Sequence, residues 1–89
     1  MSGEQHHGDA ELFPRVAATT VHKRWWVSTI RMPHDLSTKG IPLYYETCVF
    51  DMAHDNEEMM HIRYPTKAAA ERGHRRIVGY IRKEGKPPS

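Results

Sequence analysis

Helical periodicity occurs once in the chain, and it comes near the C-terminus. At about 100° per residue, the segment TKAAAERGHRRIVGYI (66–81) gathers Ala70, Gly73, His74, Ile77, Val78 and Ile81 on one side, with Tyr80 at its edge. Thr66, just after Pro65, is a natural N-cap, because its hydroxyl can accept from the first free backbone N–H groups of the helix. Gly73 is costly inside a helix, by about 1 kcal/mol against Ala. On the apolar side, however, a missing side chain lets the helix approach its neighbour closely. His74 beside it reads as a core histidine with a ring nitrogen bonded to a strand or loop group, a catalytic role being the alternative.

Everything upstream of that helix reads as strands joined by short connections. VAATTVHK (16–23) and WWVSTIRM (25–32) are rich in β-branched and aromatic residues, and the second is expected to continue the first through a bend or bulge near Lys23 and Arg24. PHDLSTKGIP (33–42) is a connection, and LYYETCVFD (43–51) is the clearest strand. MAHDNEE (52–58) is a turn around Asp55 and Asn56, followed by the strand MMHIRY (59–64). Short connections favour antiparallel neighbours. The fold class is therefore α+β: a small antiparallel meander of three to four strands with one C-terminal amphipathic helix packed on one face. Residues 15–84 form the domain, and 1–14 and 85–89 read as loose tails.

Both faces of the strands are apolar. Tyr44, Glu46, Cys48 and Phe50 alternate with Leu43, Tyr45, Thr47 and Val49, and Trp25, Val27 and Thr29 alternate with Trp26, Ile30 and Met32. A strand wetted on one side alternates more cleanly. One helix covers one face, so the other needs the N-terminal segment, a second copy or a target protein. The 89 residues form a marginal core, which favours such association. Trp25, Trp26, Tyr44, Tyr45 and Met59 are the candidate contact residues, with internal packing as the competing use for them.

Charge is split along the chain. Residues 1–66 hold six Lys and Arg against nine Asp and Glu, a net −3, and residues 67–89 hold seven against two, a net +5. On the helical wheel Arg72, Arg75, Arg76, Arg82 and Lys83 share an arc of about 120°. Such a stripe can follow phosphates or an acidic partner. More commonly it is a solvated face, and no helix-turn-helix, zinc finger or aromatic RNA-binding pattern accompanies it.

Seven histidines raise the question of a metal, with His34-Asp35, His54-Asp55 and His61 as the combinations, but none has ligand spacing. Glu46, lying among Tyr44, Cys48 and Phe50, needs a partner if buried, and Arg31 or Arg63 can supply one from a neighbouring strand. The acidic run 55–58 reads as a solvated hairpin loop, and Cys48 as a small core residue without an activator. No Gly-rich phosphate loop or nucleophile motif is present, so neither a cofactor nor catalysis is expected. The single cysteine, the polar N-terminus and the lack of a long apolar run point to a cytoplasmic protein without a membrane partner.

WWVSTI (25–30), YETCVF (45–50) and RYPTKAAAERGH (63–74) together resemble a small protein family of bacteriophages that infect actinobacteria. Its members show a V-S-T-V-like strand, an F/Y-E-T-M-V-F strand and R-Y-x-T-x-x-E-A-x-x-G-H opening the helix. Val27, Ser28, Thr29, Glu46, Thr47, Val49, Phe50, Arg63, Tyr64, Thr66, Gly73 and His74 match. Cys48 stands where the family usually has Met, Ala70 precedes Glu71 where an acidic residue nearer the helix start is usual, and PHDLSTKGIP replaces a Gly-rich connection. The resemblance covers residues 25–78 and implies a phage or prophage origin. The expectation is a non-enzymatic accessory protein that binds a host or phage protein, a defence system among them, or a second copy of itself, through a sheet face or an edge strand. A nucleic-acid module using the basic helix face and a metal-dependent enzyme are the alternatives.

Overall fold

The structure, a computed structural model, describes residues 14–32, 40 and 43–88. Four strands and one helix follow in chain order: β1 (Arg15–Val21), β2 (Trp25–Arg31), β3 (Tyr45–Asp51), a 3-10 turn (Met52–His54), β4 (Glu57–Tyr64) and α1 (Lys67–Glu84). The sheet is an antiparallel meander in the order β1-β2-β3-β4, and α1 packs against all four strands. The α+β architecture is the expected one. Of the expected tail 1–14, residues 1–13 lie outside the described residues, while Pro14 is tied to the sheet, its carbonyl accepting from Arg31 N–H at 2.8 Å; of the connection 33–42 all but Gly40 lie outside them.

β1 and β2 are separate strands rather than one bent strand. His22 and Lys23 both take positive φ, 54° and 56°, and Arg24 N–H donates to Val21 O at 3.1 Å. That is a type I′ hairpin turn, whose twist suits antiparallel strands. It is made here without the Asn-Gly that normally announces it, so the sequence reads as continuous. The β3–β4 connection turns at Asp55 and Asn56 as expected, both in the left-handed region, but a 3-10 turn precedes them and β4 begins at Glu57.

Register assigns the faces. Thr19, Val27 and Val49 are cross-strand neighbours, as are Ala17, Thr29 and Thr47. These residues face α1, where Val21, Trp25, Val27, Val49, Ile77, Val78 and Ile81 form the core with Met60 against it. Thr66 caps the helix, its hydroxyl accepting from Ala69 N–H at 3.1 Å. Gly85 ends it in the left-handed conformation, φ 80°, donating to Ile81 O, while its own carbonyl accepts from Trp25 Nε1 at 3.1 Å. Gly85 is thereby tied into the domain instead of beginning a loose tail.

Gly73 is buried because Tyr64 lies on it: a Cβ at residue 73 would stand 2.1 Å from the Tyr64 hydroxyl oxygen. His74 is 5% exposed and bonded at both nitrogens, Nδ1 to Thr29 Oγ1 at 2.8 Å and Nε2 to Thr19 Oγ1 at 2.9 Å. Thr29 is hydrogen-bonded to Thr47, which also bonds Tyr64. This polar chain fastens helix to sheet across β1, β2, β3 and β4. Burial, reinforced by the Arg75 charge, lowers the His74 pKa.

Candidate interaction surfaces

The face opposite α1 belongs to the even-numbered residues of β2 and β3. Trp26 pairs with Phe50, Ser28 with Cys48 and Ile30 with Glu46. The rings of Trp26 and Phe50 lie 5.5 Å apart at 33°, and the Arg15 guanidinium sits 5.7 Å from the Trp26 ring centre. Trp26, Ile30, Cys48 and Phe50 are each half-buried, and among the described residues no strand or helix lies over them. Arg63 Nε reaches Glu46 at 3.3 Å from β4, one of the two partners expected for that carboxylate. The Cys48 thiol is pushed up to about 12, first by burial and then by the Glu46 and Glu58 carboxylates. It therefore stays protonated and behaves as a small apolar group.

The five expected contact residues do not make one patch. Trp26 lies on the open face as described. Trp25 points the other way, is 4% exposed, and carries the Arg24 guanidinium 4.4 Å over its ring. A partner finds no surface on it. Tyr45 is opposite Tyr64 and lines a cleft of about 300 Å³ with Arg31, Lys67 and Glu71. Tyr44 precedes β3, and Arg31 lies 5.8 Å and 5.9 Å from the Tyr44 and Tyr45 ring centres. Met59 is exposed in β4 at a register shift against Val49 and Phe50. Phe50, Ile30 and Cys48 are the missed companions of Trp26. The alternation already placed Phe50 with Cys48 and Ile30 with Trp26, but only the strand register brings the two sets together.

Arg72, Arg75, Arg76, Arg82 and Lys83 are all exposed on the outer side of α1. Among the described residues none of the five is ion-paired to a carboxylate.

Asp51, 2% exposed, is the one deeply buried carboxylate of the described residues. Arg24 grips it with two bonds, at 2.9 Å and 2.8 Å, and His54 and Ala53 N–H add two more. Arg24 first, then His54 and Ala53, hold its carboxyl well below the usual carboxylate range against the opposing effect of burial. The cluster clamps the β1–β2 turn to the end of β3. His54 thus serves Asp51 rather than its neighbour Asp55, and His61 pairs with Glu58 at 2.9 Å. His34 and Asp35 lie outside the described residues, and among those described no three His, Cys, Asp or Glu side chains gather as a metal would need. No described helix is long and apolar enough to cross a membrane.

These features define a small two-layer α+β protein with an aromatic sheet face over which no described strand or helix lies, and a basic helix face. No family model matches the chain, and no curated protein sequence or solved structure matches it.

Proposed function

We propose that this chain is a non-enzymatic protein-binding module, an accessory protein of phage or prophage origin that acts on a host or phage protein in the host cytoplasm. The observation that carries the reading is the half-buried cluster of Trp26, Ile30, Cys48 and Phe50 on the sheet face opposite α1, over which no described strand or helix lies. Aromatic anchors ringed by Arg15 and the Arg63–Glu46 pair have the composition of an interface centre with a polar rim. The resemblance in residues 25–78 supports the origin. The chemistry of the buried groups fits the same reading: both ring nitrogens of His74 are occupied by threonine hydroxyls, and Cys48 is a protonated thiol.

Capture from host lysate, eluted in two salt steps and repeated with Phe50→Asp and Ile30→Lys, tests it. A protein retained by the wild type at high salt and lost by both folded variants supports the reading. Equal retention by the variants overturns it. The second reading, nucleic-acid binding by Arg72, Arg75, Arg76, Arg82 and Lys83, rests on five exposed cations without carboxylate partners among the described residues. Binding to DNA and RNA across a salt series decides it, since phosphate contacts weaken steeply with salt. No binding at low ionic strength removes it.

A further inference from the structure

β4 ends the sheet, so the backbone groups on its outer side have no strand to pair with among the described residues. It is also the longest strand, eight residues without Pro or Gly, and nearly all of it is exposed. An edge of this kind is a template for another strand unless it is blocked. The usual blocks are charged side chains, proline, a β-bulge or a covering loop. β4 has the register shift at Met59, but its charges are of both signs, with Glu57 and Glu58 near one end and Arg63 near the other, and between them Met59 and Ile62 are 45% and 38% exposed.

This order is self-complementary under one particular two-fold arrangement. Antiparallel pairing of β4 with its own copy around an axis perpendicular to the sheet must keep helix-facing residues opposite helix-facing ones. From the β3 register, Met60, Ile62 and Tyr64 face α1, and Glu58, His61 and Arg63 face away, with Met59 as the extra residue at the register shift. Centring the axis on His61 sets Met60 opposite Ile62 of the partner subunit on the helix side. On the open side it sets Arg63 opposite the shifted Met59 and Glu58 positions of the partner subunit. Both contacts occur twice. Centring on His61 also sets the two His61 rings opposite each other at the axis, each bonded to Glu58 of its own strand, whereas centring on Ile62 sets His61 against Arg63 of the partner subunit.

We propose that β4 pairs antiparallel with β4 of a second copy about His61, joining two four-stranded sheets into one of eight strands with both helices on the same side. The recognition is backbone pairing along the edge, two Met60–Ile62 contacts, and two Glu58–Arg63 ion pairs across the dyad, made by groups that within the single subunit pair as Glu58–His61 and Arg63–Glu46. A single strand pair buries little area, so the dimer belongs to the weak class, its population rising over roughly 10 µM to 1 mM. The inference rests on strand order and charge placement and not on the sheet-face reading.

Sedimentation equilibrium of Glu58→Arg, of Arg63→Glu and of their equimolar mixture tests it, with thermal melts confirming that each variant folds. Each single variant puts like charges at both symmetric contacts, and its dimer dissociation constant should rise tenfold or more. The mixture restores opposite charges at both contacts and should associate at least as well as the wild type. Ile62→Lys, which adds a charge at the edge without touching the ion pairs, should also leave a monomer. A wild type that stays monomeric at about 1 mM overturns the proposal. So does a dimer indifferent to the reversals, or a mixture no better than its components. Loss of association through Phe50→Asp but not Ile62→Lys would move the interface to the sheet face and overturn it as well.

Discussion

Replacing Gly73 by Ala sets helix propensity against packing, and the structure says which wins. In an isolated helix the change is favourable by about 1 kcal/mol. Here the new Cβ would lie 2.1 Å, 2.3 Å and 2.6 Å from Tyr64 Oη, Cζ and Cε1. Ordinary contact begins at 3.4 Å, so the ring must retreat by about 1.3 Å or leave its site. The ring is the far end of a side chain on an edge strand, so it can swing outward without moving backbone. Doing so surrenders its half-buried packing, about 1–2 kcal/mol, and its bond to Thr47, about 0.5–1.5 kcal/mol. Against the propensity gain of about 1 kcal/mol this leaves a net loss of about 0.5–2.5 kcal/mol, or roughly 2–20 °C in Tm for a domain of this size. Urea melts of a four-member cycle with Tyr64→Ala give the cleanest check. With Tyr64 absent the same Gly73→Ala change should stabilise by about 0.5–1 kcal/mol, because the space is then open. A Gly73→Ala protein as stable as the wild type, or an effect with the same sign in both backgrounds, would refute the packing argument.

Gly79 is the control, since a Cβ there meets nothing within 4 Å, and Gly79→Ala should raise stability by about 0.5–1 kcal/mol in the same melts. Replacing His22-Lys23 by Asn-Gly should stabilise by about 1 kcal/mol or more, because both residues occupy the left-handed region that costs ordinary side chains most; unchanged urea midpoints would contradict the type I′ turn. Acid should weaken the fold in two steps. His74 has a lowered folded pKa, so its contribution is complete above the unfolded value of about 6.5 and is lost as pH falls from there towards the folded value. Asp51, also lowered, contributes fully above about 3.9, and that contribution is lost at lower pH. Urea midpoints measured from pH 8 to about pH 2 should fall through the His74 window and on into the Asp51 window, and Asp51→Asn, already less stable at pH 7, should flatten the lower one.

Much of the fold was legible because it follows from local chemistry. The 3.6-residue repeat of Ala70, Gly73, His74, Ile77, Val78 and Ile81 has one buried solution, and those six are the buried residues of α1. Thr66 could cap because its side chain needs only the next turn of its own helix. Alternation along β2 and β3 separated two sets of residues on each strand, and the need of Glu46 for a cation was visible in its apolar neighbours. Which set meets which was not legible. A one-residue change of register exchanges the faces, and only pairing Trp26 with Phe50 and Thr29 with Thr47 put the tryptophan on the open side and the threonines under His74. The hairpin at His22-Lys23 left no trace in residue type, because antiparallel pairing and the Arg24–Asp51 clamp hold a turn that the local sequence disfavours. Gly73 joins the two levels. Its sequence position required something to lie close against the helix, and the fold supplied the ring of Tyr64, nine residues earlier in the chain and on the edge strand. Periodicity fixes which way a residue faces, a short-range property of the backbone. What it faces depends on chain segments brought together only when the sheet closes under the helix.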